Sequence, residues 1–382
     1  MKNTGFRELV TLINKFKREL EKPFVGREEE ALVITLALMT SEHVILVGEP
    51  GTAKSALARR AADLLKARFF KYLLTRYTEP DELLGPLDIV ALKEGKYVRV
   101  VRGKLPEAEI AFLDEIFNAS SAVLNTLLTL LNERVIYDGY SEIAVPLWTL
   151  ISASNTVPEE QEYQALYDRF LFRHFVKPVS EDKWHELLEA SWKIEREGYK
   201  APQQVLSIED LKTINSLTLS VDVSRVKPVL VKLFAIMEDQ GVHVTDRRKG
   251  KALKAIAAHA LFNNKLVASE EDLFTLKYVI PSTREELEKV EIILIEELGA
   301  RERLITELRE IEENIREVKA YLTRVTDFDP RLLEYLRGFE KAREKVKKIV
   351  ESSADDYVKK RATDILVEIN HMLEEIRRRL LA

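Results

Sequence analysis

The stretch His43-Val44-Ile45-Leu46-Val47-Gly48-Glu49-Pro50-Gly51-Thr52-Ala53-Lys54-Ser55 decides how the rest of the chain is read. A short apolar strand feeds a loop with two glycines, and Lys-Ser leads into the amphipathic stretch Ala56–Leu65. A strand, a loop of free backbone N–H groups and a helix N-terminus together make a cradle for phosphate. At this spacing Lys54 reaches the β- and γ-phosphates and the Ser55 hydroxyl holds Mg²⁺. The expected contact surface is Gly48, Glu49, Pro50, Gly51, Thr52, Ala53, Lys54, Ser55 and Ala56, and the ligand class is a nucleoside triphosphate. The usual pattern has Gly before the Lys, where this chain has Ala53. Glycine is required where φ is positive or the backbone touches phosphate closely. A residue so near the helix start is expected in the right-handed region, which suits alanine.

Working outward, residues 43–180 alternate apolar strands with helices. The strand candidates are His43–Val47, Phe69–Leu74, Ile110–Asp114, Trp148–Ser152 and His174–Val179. Such alternation predicts a parallel α/β sheet. Two interruptions read as hairpins: Ile89–Leu92 with Tyr97–Val101 around Lys93-Glu94-Gly95-Lys96, and Arg134–Tyr137 with Ser141–Val145 around Asp138-Gly139. Upstream, Phe6, Leu9, Val10, Ile13, Phe16 and Leu20 give one helical face ended by Pro23, and a second helix spans Glu28–Met39. Downstream, residues 181–283 are helical, with Trp184, Leu187 and Leu188, then Val229, Leu233 and Ile236, at helical spacing. From 284 to 382 the pattern is a heptad seam, Leu304, Leu308, Ile311, Ile315, Val318, Leu322 and Val325, broken at Asp329-Pro330. A second seam runs Leu332, Leu336 and Phe339 to Ile349; after Ser352-Ser353 a third runs from Val358 to Leu380. The expected architecture is a nucleotide-binding α/β domain over 1–180, a helical domain over 181–283 and a helical bundle or coiled-coil arm over 284–382.

Bulk properties narrow the class. The chain has 382 residues, 46% of them hydrophobic, and a net charge of −5 that disfavours a general nucleic-acid binder. The absence of cysteine excludes disulfides, thiolate metal sites and cysteine nucleophiles. No window approaches a membrane span, and Lys2, Arg7 and Glu8 interrupt any leader-like core, so a soluble cytoplasmic protein is expected. No pair among the six histidines has zinc-site spacing beside acids.

Three further places carry chemistry. The strand Ile110–Leu113 ends in Asp114-Glu115, so its tip is expected to meet a ligand, with Asp114 helping Ser55 hold Mg²⁺ and Glu115 polarising the attacking water. Asn155, just past the next apolar strand, can orient that water. In Tyr167-Asp168-Arg169-Phe170, Arg169 can reach a neighbouring subunit's γ-phosphate, with Arg173 as the competing candidate.

The order phosphate loop, Asp-Glu, Asn and Asp-Arg-Phe resembles an AAA+ ATPase module. The finer text is similar to the MoxR family and, within it, the RavA-like branch: Gly48 to Ser55, Leu84-Gly85-Pro86-Leu87-Asp88-Ile89, Leu105-Pro106-Glu107-Ala108, Phe112-Leu-Asp-Glu-Ile-Phe117 and Val244-Thr245-Asp246-Arg247-Arg248. The likeness covers roughly residues 20–265, and the family also carries Ala before the loop Lys. It implies that Val25 and Gly26 line the adenine pocket, Asn155 is sensor 1, Arg169 is a finger acting in trans, and Arg248, with Arg247 as alternate, is sensor 2 on the γ-phosphate in cis. A cation at a helix start is disfavoured by the helix dipole, so an anionic partner there is expected. The resemblance implies ATP and Mg²⁺ as ligands and a ring or spiral, expected to be a hexamer. It further implies chaperone-like action on a client, with a partner carrying a von Willebrand factor A domain. The hairpin at Lys93–Lys96 is then either a client contact or purely structural. The rival readings are a nucleic-acid-stimulated motor, given Lys93, Lys96, Arg99, Arg102 and Lys104, and a nucleotide-gated scaffold with little turnover. The C-terminal helices either recruit a partner or pack on themselves.

Overall fold

The computed structural model describes residues 2–138, 141–322, 329–352 and 356–381. It divides into two units, Met1–Glu291 and Ile292–Ala382. The first is built on a five-stranded sheet. In chain order the strands are β1 (His43–Val47), β2 (Phe69–Leu73), β3 (Ile110–Asp114), β4 (Val135–Asp138), β5 (Ser141–Ala144), β6 (Thr149–Ser154) and β7 (Phe170–Phe175). The sheet runs β2-β3-β6-β1-β7 with every pair parallel, while β4 and β5 form a separate antiparallel ribbon. β1, β6 and β7 are buried along their whole length, as parallel strands covered on both faces require. The chain leaves β1 toward β2 on one side and jumps from β6 across β1 to β7 on the other. The end of β1 is therefore a topological switch point, where open α/β sheets bind ligands.

The helix Lys2–Glu21 buries Val10, Ile13, Phe16 and Leu20, one face at helical spacing. The following helix, Glu28–Thr40, is buried over nearly all its length and ends where Ser41 takes a left-handed conformation. Helices Ile208–Ser220, Lys227–Asp239 and Asp246–Phe262 and a 3₁₀ segment Glu270–Tyr278 follow the sheet. No described helix is long and apolar enough to cross a membrane.

Three expectations are corrected. The last strand occupies Phe170–Phe175, not His174–Val179. Arg173 and His174 lie inside it, both buried with partners. The Arg173 guanidinium lies 3.9 Å from the Tyr167 ring centroid and donates to Ser282 Oγ at 2.6 Å; His174 Nε2 is 3.5 Å from Glu30. The strand after the acids likewise runs two steps further, to Ser154, because Ser152 and Ser154 are buried within it. In the first insert, Ile89–Lys93 is a helix, not a strand. The Asp88 carboxylate caps it, accepting from Val90 N at 2.8 Å and Ala91 N at 3.1 Å. The ladder forms upstream instead, where Leu87 bridges Arg99 and Val100 N donates to Pro86 O at 2.8 Å. Gly85 permits this approach at φ 96°, since a Cβ there would collide with the Val100 carbonyl. In the second insert, Gly139 lies outside the described residues.

The second unit is three helices closed on one core. The helix Arg284–Leu322 carries the chain into it, followed by Arg331–Ser352 and Asp356–Leu381. Leu308, Ile315, Val318, Leu332, Phe339, Val346, Val358, Ile365, Ile369 and Leu373 form the shared core. Ion pairs Arg361–Glu312 and Lys319–Glu368 show that the first and third helices run parallel. The heptad positions are thus spent within the unit. Val325 and Ser353 lie outside the described residues.

Candidate functional site

The loop after β1 is pinned before it turns. Gly48 N donates to Ser154 O at 2.9 Å and Val176 N to Val47 O at 2.8 Å. A Cβ on Gly48 would sit 2.8 Å from the Val176 carbonyl oxygen, so only glycine fits between β6 and the exit of β7. Thr52 Oγ1 donates to Glu49 O at 2.8 Å and closes the loop. The helix Lys54–Leu65 then starts with Ala53 at its N-cap, and no side chain caps its first-turn N–H groups. Those donors, with the positive end of the helix dipole, face the loop's concavity, the arrangement that receives phosphate. Ala53 stands at φ 64°, ψ 15°, in the left-handed region, which corrects the right-handed expectation: the tight turn continues through Ala53 and the helix begins only at Lys54.

Lys54 Nζ donates to the carbonyls of Gly48 at 2.6 Å and Glu49 at 2.8 Å. Burial pulls its pKa down, and the charges of Asp114 and Glu115 draw it partly back. The β3-β6-β1 order brings these groups together. Asp114-Glu115 closes β3, Asn155 follows β6, and the loop follows β1, all at the carboxyl edge of the sheet. Asn155 Nδ2 donates to Glu115 Oε1 at 2.5 Å. Glu115 is itself left-handed, at φ 52°, ψ 48°. Burial and the Asp114 charge push its pKa up, while Lys54 and the Asn155 contact oppose them. The Ser55 hydroxyl and the Asp114 carboxylate are hard oxygen donors of the kind Mg²⁺ takes while keeping several waters. The donor set fits that ion.

A cavity of about 490 Å³ opens beside the loop. Its walls are Phe24, Val25 and Arg27, the loop residues Glu49 to Ala53, Pro178 and Val179, and a helix face carrying Leu187, Ala190 and Ile194. Gly26, at φ 70°, lies against Val179, where an added Cβ would come to 3.4 Å. A cavity of mixed polar and apolar lining that adjoins a phosphate cradle suits a base and sugar. The sequence pointed to Val25 and Gly26 but not to the opposite wall. The helix Trp184–Glu197 has no buried residue, and its apolar spacing reads as core when it lines a cavity instead.

The arginines divide. Register pairs His43 with Phe170 and Val47 with Phe175, so the start of β7 lies at the sheet end away from the loop. Four strand steps separate the two ends by about 13 Å. Arg169, just before β7, is half-buried and has no partner among the described residues. Arg173, its competitor, is consumed internally. Arg248 is also buried. It donates to Asp168 Oδ1 at 3.0 Å, Phe170 O at 2.5 Å, Leu171 O at 3.2 Å and Val279 O. Its anionic partner is Asp168, at the far end of β7, so Arg248 does not reach the phosphate loop of its own chain. Arg247 beside it is exposed.

A phosphate loop at a switch point, an acid pair and an asparagine on neighbouring strand tips, and trailing helices define an AAA+ ATPase fold. Residues 11–216 match the MoxR domain described from MoxR-vWA-beta-propeller ternary systems, and residues 225–294 match an AAA lid domain. The chain belongs to the MoxR family of AAA+ ATPases. An uncharacterized protein of Methanocaldococcus jannaschii is 40% identical over 282 residues, 74% of this chain and 74% of its own. Chaperone MoxR1 of Mycobacterium tuberculosis is 25% identical over 274 residues, 69% of this chain and 70% of its own. The crystal structure of an ATPase candidate from Cytophaga hutchinsonii shares the fold, with TM-score 0.63 and 18% identity over 76% of this chain and 95% of that one.

Proposed function

We propose that the protein is a Mg²⁺-dependent ATPase of the RavA-like branch, assembled as a ring of six or a spiral in the cytoplasm. In this reading it spends ATP hydrolysis on remodelling a protein client. The observation that carries this is Glu115 held by Asn155 at 2.5 Å beside the lysine of an uncapped phosphate loop. The base lies in the cavity between Val25 and the face of Leu187 and Ile194. Loop N–H groups and Lys54 take the phosphates, which requires Lys54 to exchange the Gly48 and Glu49 carbonyls for phosphate oxygen. Ser55 and Asp114 hold the metal, which when bound neutralises and orients the phosphate oxygens. Glu115 accepts a hydrogen bond from the attacking water, and Asn155 fixes the carboxylate that does so. Arg169, whose side chain is unpaired among the described residues, supplies positive charge to a neighbour's γ-phosphate.

A partner with a von Willebrand factor A domain is proposed from the systems in which the matching MoxR domain is described. The client contact is proposed for the first insert, which exposes Ile89, Val90, Tyr97 and Val98. Its basic residues argue less for nucleic acid than the sequence suggests. Arg99 pairs with Asp81, Lys96 with Glu94, and Lys104 donates to Glu82 O. The deciding experiment is Glu115→Gln. Nucleotide affinity should persist while phosphate release falls by about 10² or more. Turnover near the parent's would remove Glu115 from the mechanism, whereas negligible turnover by the parent itself would favour a nucleotide-gated scaffold.

A further inference from the structure

Arg248 sits in the first turn of the lid helix Asp246–Phe262, where the dipole opposes a cation, yet it is 3% exposed. Its hydrogen bonds run to Asp168 and to three backbone carbonyls around β7. Thr245, the N-cap of the same helix, adds a contact to Asp168 Oδ1 at 3.4 Å. From β7, the buried Arg173 approaches the same carboxylate at 3.7 Å and stacks on Tyr167, whose hydroxyl donates to Ser282 O. Two buried guanidinium groups therefore share one carboxylate. Burial and the Arg173 charge pull the Arg248 pKa to about 9. Replacing such a cluster by packed apolar residues is often neutral or stabilising, so stability alone does not account for it. Its geometric product is a fixed Asp168, and the next residue is Arg169, whose Nε is buried without an acceptor among the described residues.

We propose that Arg248 is a positioning residue: through Asp168 it ties the lid to Arg169, so that each subunit's lid sets where its Arg169 meets the neighbour's nucleotide. The inference rests on reading Arg169 as a finger in trans. It stands in place of a cis role for Arg248 on the γ-phosphate, against which its contacts at the far end of β7 argue. A finger displaced by about 1 Å loses about 10²-fold in rate. The nucleotide pocket of the same subunit is left intact.

The test is subunit mixing with ATP turnover as readout. Arg248→Ala alone should lower kcat by about 10²-fold and hold KM within about twofold. Mixed with Glu115→Gln, whose Arg169 and lid are whole, it should regain turnover, because its own sites receive a competent finger. Mixed with Arg169→Ala it should stay silent, because neither chain supplies one. A cis role predicts the reverse in both mixtures and would overturn the proposal. Failure of Arg169→Ala to recover with Glu115→Gln would instead bring down the finger reading itself. Should Arg248→Ala melt out, Asp168→Asn carries the same two mixtures with the same expected pattern, and Arg248→Lys should restore part of kcat.

Discussion

Ala53 holds a conformation that L-residues avoid, and it does so at the point where the phosphate loop becomes a helix. The left-handed region costs an alanine about 1–2 kcal/mol. Glycine would remove that cost but lose about 0.4–1 kcal/mol through its freer unfolded chain. The first effect is larger, so Ala53→Gly should raise stability by about 0.5 kcal/mol with ATP affinity unchanged, as read by urea denaturation. A loss of stability would show that the methyl packs usefully and outweighs the backbone term. Glu115, also left-handed, makes the second strained residue at this edge, and strain of this kind gathers where a site needs a fixed geometry. Lys54 and Ser55 open the helix after the loop, and Asp114, Glu115 and Asn155 stand at strand tips; both placements could be read from a few adjacent residues. The conformation of Ala53 was not, since loop and helix start are indistinguishable in composition. The engagement of Arg248 was not legible either, since its carboxylate partner lies 80 positions away.

Elements followed the same rule. Strands read as unbroken apolar runs, β1 and β3, fell where expected, while β6 and β7 ran past their expected ends or starts because their polar residues are buried within them. The first insert was misread because Ile89 and Val90 favour a strand until Asp88 is recognised as a cap. Between the lid helix Asp246–Phe262 and the 3₁₀ segment Glu270–Tyr278, one fully buried carboxylate does the joining. Asp272 accepts from His259 Nδ1 at 2.7 Å and Ser269 N at 2.8 Å, with Lys265 at 3.7 Å. Burial pushes its pKa up, but the His259 and Ser269 hydrogen bonds and the Lys265 charge prevail and hold it below its ordinary 3.8. A depressed carboxylate stabilises the fold above its unfolded pKa, and the contribution is lost as pH falls through the folded value. Asp272→Asn should therefore cost about 3 kcal/mol at neutral pH. The gap from the parent should narrow only below pH 3.8. Thermal melts at several pH values give the comparison. A gap independent of pH would mean that Asp272 acts through shape and not charge.

At the scale of the whole molecule, the sequence placed the change of architecture near 284 and the units divide at Glu291 and Ile292, inside a continuous helix that no composition shift marks. What the heptads could not say is where their apolar faces go, because a seam that recruits a partner and one that closes on its own chain look alike. Here Leu308, Ile315 and Leu322 meet Leu332, Phe339 and Val346, and both meet Val358, Ile365 and Ile369. A core completed by three helices of one chain has no obligate need of another protein. Residues 292–381 expressed alone should then be helical and melt cooperatively at a temperature independent of concentration. Within that fragment Ile315→Ala, at a position 1% exposed, should cost about 3 kcal/mol. For a domain this small that is a large share of total stability, so the melting point should drop by more than about 10 °C. A melting temperature that rises with concentration would show the seams pairing between chains, and would return these helices to the role of a docking arm.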